Sequence, residues 1–223
     1  LTIFHTLIHH NFHIFWLFIL IIISYLIGAI SSSIIICRIK KVDIRNIGSG
    51  NAGATNTVRA LGKKFGAIVL FLDMLKGSLP TMIAKIVSPE SLVLPIACAF
   101  ATVLGHVFPI YFSFKGGKGA ATFIGTIIVI FPIGALICFL VWISVLILSG
   151  YVGLATISAA IIFPISIFFF AESNLMFFGV TSTLFVLIAH YKNIIRLINR
   201  QESRFDNIYI FNPKAFWYKK WVK

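Results

Sequence analysis

Three short polar stretches of this sequence carry the residue types that hold phosphate. The first runs Asp43-Ile-Arg45-Asn-Ile-Gly48-Ser49-Gly50-Asn51-Ala-Gly53-Ala-Thr55-Asn56-Thr57-Val-Arg59. The second begins at Gly105-His106 and ends Phe114-Lys115-Gly116-Gly117-Lys118-Gly119, and the third is His190-Tyr-Lys192-Asn193-Ile-Ile-Arg196. Glycines let a backbone approach an anion closely, and successive amides form an anion-binding nest. Ser49 and Thr55 add hydroxyl donors, and Asn51 and Asn56 add amides. Arg59 offers phosphate a planar fork, and Lys118 a movable point charge. The plainer reading of the same residues is tight turns flanked by cationic anchors.

Several sharper motifs fail on inspection. Gly48 to Gly53 spells GxGxxG with an acid, Asp73, 20 residues later. A dinucleotide site needs a strand before that turn and a helix after it within a βαβ unit. Here the acid sits in an apolar run, and no strand–helix alternation exists. The second stretch is no P-loop: Phe112 stands where the first glycine would be, and Gly119 replaces the Ser/Thr that binds magnesium. No GxSxG elbow is present. Cys37, Cys98 and Cys138 are isolated within apolar segments and read as small buried hydrophobes. His5, His9, His10 and His13 include i,i+4 pairs, and a wet helix end explains them better than a metal. No metal and no cofactor is expected. Asp73 and Lys76 are spaced to pair on a helix and read as an internal ion pair that fixes packing. His106 reads as a structural hydrogen bonder.

The elements that must position these stretches follow from composition. Of 223 residues 59% are apolar and only 11% charged, with 23 phenylalanines. A soluble chain of this length could not bury that much apolar surface, and disorder requires the opposite composition. Lys and Arg number 19 against 6 acids, a net charge of +13. The cations lie in the gaps between apolar runs, which argues for topology control and phosphate capture rather than nucleic acid. The partner implied is a lipid bilayer.

The apolar runs are 14–37, 65–87, 92–112, 120–148, 151–170 and 175–189. The fourth is too long for one span of about 20 residues, and Pro132 interrupts it. If it crosses once, the basic tail from His190 falls outside, against the charge rule. If it turns at Pro132, every basic segment faces the cytoplasm. The expected fold is therefore an all-α integral membrane protein of seven transmembrane helices, some short or re-entrant, with the N-terminus outside and the C-terminus cytoplasmic. Five or six spans is the alternative. The domain layout is an N-terminal extension (1–13), one membrane domain (14–205) and a basic aromatic tail (206–223).

Gly48-Ser-Gly-Asn-Ala-Gly-Ala-Thr-Asn56 with Arg59 resembles the first signature of the acyl-phosphate-dependent glycerol-3-phosphate acyltransferases. Gly105-His-Val-Phe-Pro109 with Phe114-Lys-Gly-Gly-Lys-Gly119 resembles the second. His190-Tyr-Lys-Asn193-Ile-Ile-Arg196-Leu197 with Glu202 resembles the third, and Asp73-Met-Leu-Lys76-Gly77 also fits. The resemblance spans residues ~24–205 and implies a bacterial inner-membrane enzyme with a cytoplasmic site. The implied reaction moves a fatty acyl group from acyl phosphate to the 1-hydroxyl of sn-glycerol 3-phosphate, giving lysophosphatidic acid and inorganic phosphate. An acyl-phosphate-forming enzyme is the implied upstream partner. Ser49, Arg59, Lys118, His190 and Asn193 are expected to contact glycerol 3-phosphate. Ser49, Gly50, Asn51, Gly53, Thr55, Asn56, Gly116, Gly117 and Lys118 are expected to form the phosphate-binding pocket. Gly153 and Thr156 stand where family members usually have serines, and Thr156 is expected to supply that hydroxyl. Nothing in the sequence orients His190 as a base, so a substrate phosphate oxygen is the favoured proton acceptor, with His190 the other candidate. A transporter of phosphate esters is the competing function, motivated by Asp73 and Lys76 inside a span.

Overall fold

The computed structural model describes residues 2–205, with side chains from Phe15 onward. The side chains of His5, His9, His10 and His13 and the tail 206–223 lie outside the described residues. All regular structure among the described residues is helical: α1 (Thr2–Gly28), α2 (Ser32–Ile39), α3 (Ala54–Leu61), α4 (Lys63–Val87), α5 (Val93–Val107), α6 (Ala120–Ile130), α7 (Pro132–Ser149), α8 (Val152–Phe170), α9 (Met176–Ala189) and α10 (Tyr191–Ile198). Five segments are long and apolar enough to cross a membrane: Phe15–Ile39, Lys63–Val87, Val93–Phe112, Pro132–Ser149 and Val152–Phe170. A sixth is possible if Ser173–Ala189 and Tyr191–Ile198, bent by 59°, act as one span. The break expected at Pro132 is present. It leaves α6 with 11 residues, about 16 Å at 1.5 Å per residue. The chain divides there into two compact units, Leu1–Ile130 and Phe131–Lys223.

The first apolar run is not one helix. It breaks over Ala29-Ile30-Ser31 before α2 begins, with Ser31 at the extended N-cap position. Within the first unit, glycines on facing helices bring backbones together. A Cβ on Gly28 would strike the Thr102 carbonyl, and one on Gly105 the Tyr25 carbonyl, locking α1 to α5. Gly77 and Gly125 do the same for α4 and α6 against Thr122 and Met74. Small residues are what close helix packing in lipid requires, because no water is released to drive it. Gly66 packs against Val58 and the Ala54 carbonyl, joining α4 to α3.

In the second unit α7 pairs with α8 and α8 with α9. Trp142 donates its indole N–H to Thr156 Oγ1 (3.2 Å). Thr183 donates to the Ala160 carbonyl (2.7 Å), and Phe163 meets Phe178 edge to face. The exposed apolar residues of these helices, such as Phe139, Phe168 and Phe177, form the surface a bilayer would cover. Cys37, Cys98 and Cys138 are buried free thiols, as expected of small hydrophobes.

Candidate active site

The first glycine loop is built around Asn56. This side chain is 1% exposed. Its Nδ2 donates to the Ile44 carbonyl (3.0 Å) and the Ile47 carbonyl (2.8 Å), and its Oδ1 accepts the Ser49 N–H (3.2 Å). Both amide protons are engaged inside the loop, so Asn56 holds the turn. Gly48 and Gly50 occupy positive φ, +55° and +66°, where a Cβ would be strained. A Cβ on Gly48 would also come within 2.5 Å of Asn56 Oδ1 and 3.0 Å of Arg59 Cδ. Arg59 therefore lies along the loop. Beneath it, Ile34, Cys37, Ile44 and Ala52 form a small apolar floor.

Gly53 precedes α3 as its N-cap and supplies no side-chain cap. The first amides of a helix have no intrahelical partner and carry partial positive charge. Here they emerge beside Asn51 and Thr55, after a loop whose Ser49, Gly50 and Gly53 N–H groups already donate to Asn56 Oδ1 and to the Ile47 and Asn51 carbonyls. This end of α3 is suited to an anion.

The second glycine loop folds back on the C-terminus of α5. Gly116 N–H donates to the Val107 carbonyl and Gly117 N–H to the His106 carbonyl, both at 3.1 Å. The amide protons of these two glycines are thus engaged within the protein, and what they offer a ligand is close approach. Lys118 follows at once, then Gly119 at φ +81° and the start of α6. The two loops touch. Arg45 donates from its guanidinium to the Lys115 carbonyl at 2.5 Å, and a Cβ on Gly117 would collide with the Ala52 carbonyl and His106 Nε2. Ser49, Gly50, Asn51, Gly53, Gly116, Gly117 and Lys118 therefore belong to two joined loops of the first unit, and Thr55, Asn56 and Arg59 to the helix α3 that follows the first loop. Arg45 was not among the expected site residues, and only its charge in the loop signalled it.

The remaining expected residues lie in the second unit. His190 sits at the α9–α10 corner, 4% exposed, and its Nδ1 lies 2.9 Å from the Val186 carbonyl. A carbonyl only accepts, so Nδ1 carries the proton and Nε2 is the basic nitrogen of the neutral ring. No orienting group for His190 is apparent from its neighbours in sequence; the structure supplies the Val186 carbonyl, four residues upstream. Asn193, also 4% exposed, donates from Nδ2 to Glu202 Oε1 (2.7 Å). Arg196 Nε donates to the other oxygen of the same carboxylate (2.6 Å). A Cβ on Gly153 would reach 2.7 Å from Asn193 Nδ2, so the glycine makes room for this side chain at the α8 N-terminus. The Phe205 N–H, donating to the Gly150 carbonyl (2.8 Å), ties the chain after α10 to the α7–α8 corner. Thr156 already has two partners within the protein. Its hydroxyl donates to the Val152 carbonyl (2.9 Å) and accepts from Trp142, so it joins helices, a use its position did not signal. Among the described residues no cluster of three or more His, Cys, Asp or Glu could hold a metal ion.

Residues 18–200 match the family model described as glycerol-3-phosphate acyltransferase. The glycerol-3-phosphate acyltransferase of Aquifex aeolicus is 44% identical over 190 residues, covering 83% of this chain and 97% of that one. That of Shewanella sediminis is 44% identical over 189 residues, covering 83% and 92%. A crystal structure of PlsY, an integral membrane glycerol 3-phosphate acyltransferase in its glycerol 3-phosphate form, superposes with a TM-score of 0.81 at 41% identity, covering 85% of this chain and 95% of that chain. The lysophosphatidic acid form gives 0.79 at 40% identity. With several apolar helices and integral-membrane relatives, the chain is a multi-pass membrane protein, and it belongs to the PlsY family of glycerol-3-phosphate acyltransferases.

Proposed function

We propose that the acyl donor is an acyl phosphate and the acceptor the 1-hydroxyl of sn-glycerol 3-phosphate. The observation that carries this reading is the pair of joined glycine loops, with Arg59 laid along one and Lys118 carried by the other. The hydroxyl oxygen attacks the acyl carbon, the carbon–oxygen bond to phosphate breaks, and inorganic phosphate leaves with the electron pair. A mixed anhydride has a good leaving group, so no covalent enzyme intermediate is needed. The open N-terminus of α3, Arg59 and Lys118 stabilise the departing charge. Ser49, Gly50, Asn51, Gly53 and Thr55 line the phosphate pocket, Asn56 shapes it, and Gly116 and Gly117 admit the ligand. Ser49, Arg59, Lys118, His190 and Asn193 contact glycerol 3-phosphate, and holding both substrates in line supplies much of the acceleration. The hydroxyl proton passes to a substrate phosphate oxygen. His190, with Nε2 as its basic nitrogen, orients the acceptor.

In this reading residues 14–205 work as one domain with seven crossings, α6 being the short one and α9–α10 the bent one. The N-terminus is outside, and the loops face the cytoplasm across the bacterial inner membrane. An acyl-phosphate-forming enzyme supplies the donor. Asp73 and Lys76, which motivated the transporter alternative, are 2% and 7% exposed and paired at 3.0 Å, which supports an internal structural pair. The decisive assay gives purified protein palmitoyl phosphate or palmitoyl-CoA at equal concentration with glycerol 3-phosphate. Lysophosphatidate from the first alone is the expected result. Product from the CoA ester alone, or glycerol 3-phosphate uptake into proteoliposomes without acyl transfer, overturns the reading.

A further inference from the structure

A buried polar knot sits within the first unit, behind the loops. Asp73 and Lys76 of α4 pair at 3.0 Å. Ser32 at the start of α2 donates its hydroxyl to Asp73 Oδ1 (3.1 Å). Lys76 Nζ donates to the Ile30 carbonyl (2.8 Å), a carbonyl released by the break between α1 and α2. His106 of α5 faces the same carboxylate, with Nδ1 3.8 Å from Asp73 Oδ1 and 3.1 Å from Thr122 Oγ1 of α6. All five side chains are buried.

A buried ion pair is a poor stability device, because desolvation offsets most of its attraction. Ionisable groups inside a span are costly enough to imply a task. The geometry shows where that task lies. The other edge of the His106 ring, at Nε2, is packed against Gly117 so closely that no Cβ fits, and the His106 carbonyl accepts the Gly117 N–H. Gly117 in turn lies against the Ala52 carbonyl of the first loop. One imidazole therefore touches the knot on one side and the residue before Lys118 on the other.

We infer that His106 is a positioning residue: anchored by Thr122 and Asp73, it fixes Gly117 and thereby the placement of Lys118 against the first loop. The inference rests on the proposed reaction for its kinetic consequence, but not for its structural one. Asp73, Lys76 and Ser32 hold the anchor at the point where α1 breaks. A loss at the knot loosens the second loop without touching any phosphate ligand.

The experiment compares wild type with His106→Leu, His106→Asn and Thr122→Val. Thr122→Val is nearly isosteric and keeps the fold should His106→Leu fail to assemble. Two quantities are read on protein of verified thermal stability: amide exchange over residues 113–119, and kcat and KM for glycerol 3-phosphate. Thr122→Val and His106→Leu are expected to speed exchange of the loop by roughly tenfold, a local opening rather than a global one. KM should rise about tenfold, because Lys118 contacts glycerol 3-phosphate, and kcat should fall about tenfold, because the same ammonium stabilises the departing charge. His106→Asn, which keeps a nitrogen near the Nδ1 position, should recover part of both. Unchanged loop exchange and KM in Thr122→Val overturns the inference, whatever its melting temperature. If wild type itself turns over no acyl phosphate, the reaction proposal fails, and the exchange data still decide the role of His106.

Discussion

The side-chain oxygen of Asn56 accepts the backbone N–H of Ser49 at 3.2 Å, while its nitrogen reaches two carbonyls on the other side of the turn. One amide thus holds a seven-residue excursion of chain in a shape that its own glycines leave undetermined. An asparagine does this because it donates and accepts at once.

Asn56→Asp follows directly. The carboxylate keeps an acceptor for Ser49 but turns a second oxygen toward the Ile44 and Ile47 carbonyls. Each stranded carbonyl costs about 1–3 kcal/mol. Thermal unfolding in detergent should show a clear drop in melting temperature, and acyl transfer should fall to about a tenth or less. Wild-type behaviour in both would mean the loop is held by something else.

Two glycines at positive φ give an internal comparison. Gly48 would direct a Cβ at Asn56 and Arg59, whereas Gly62, at φ +88°, has nothing within 4 Å. Gly62→Ala should cost only the strain of an extended positive-φ conformation (ψ 173°), about 1–3 kcal/mol, and preserve the rate. Gly48→Ala should add displacement of Arg59 and lose most activity. Equal kinetic effects would contradict the placement of Arg59 on the loop.

His190 offers a test of where the proton goes. In His190→Asn the amide can still donate to the Val186 carbonyl, but the basic nitrogen is gone. If the acceptor phosphate takes the proton, the pH–rate profile of the variant should keep its shape while the rate falls. Loss of the limb that follows base ionisation would instead assign the proton to His190. Initial rates over a pH series settle the question.

Glu202 holds Asn193 and Arg196 by separate oxygens at 2.7 and 2.6 Å. Glu202→Gln removes the charge and leaves Arg196 without its carboxylate. The expected loss is about 1–3 kcal/mol, with a raised KM for glycerol 3-phosphate as Asn193 turns. A double-mutant cycle with Arg196→Met should show coupling; strict additivity would dissolve the bridge.

Much of this molecule was readable from spacing alone. Apolar runs placed the long helices, except that the first run proved to be two, and Pro132 placed the break that shortens α6, because a proline cannot continue the preceding ladder. The three polar stretches stood out because they interrupt apolar helices with glycine, serine and arginine, and the structure joins the first two of them. What stayed hidden was partnership. Nothing local to Asn56 says that its protons go to Ile44 and Ile47 rather than to a ligand. Thr156 and Trp142 are 14 residues apart and meet only because α7 and α8 fold against each other. Ser32 and Asp73 are separated by 41 residues, and the α1–α2 break that admits Lys76 has no proline to announce it. Long-range polar contacts depend on helix rotation, and one sequence does not fix rotation when most faces are apolar.

Lys85 donates its ammonium to the Val129 carbonyl at 3.0 Å, one residue before α6 ends. A helix so short stops well inside the thickness of an ordinary bilayer, and there an exposed cation draws in headgroups and solvent. In the proposed topology the outer leaflet beside Ile130 would therefore dip toward the protein. That dent shortens the route a long acyl chain would need to span beside this helix, and it makes the lipid composition of the far leaflet a physical variable for an enzyme whose proposed chemistry faces the other side.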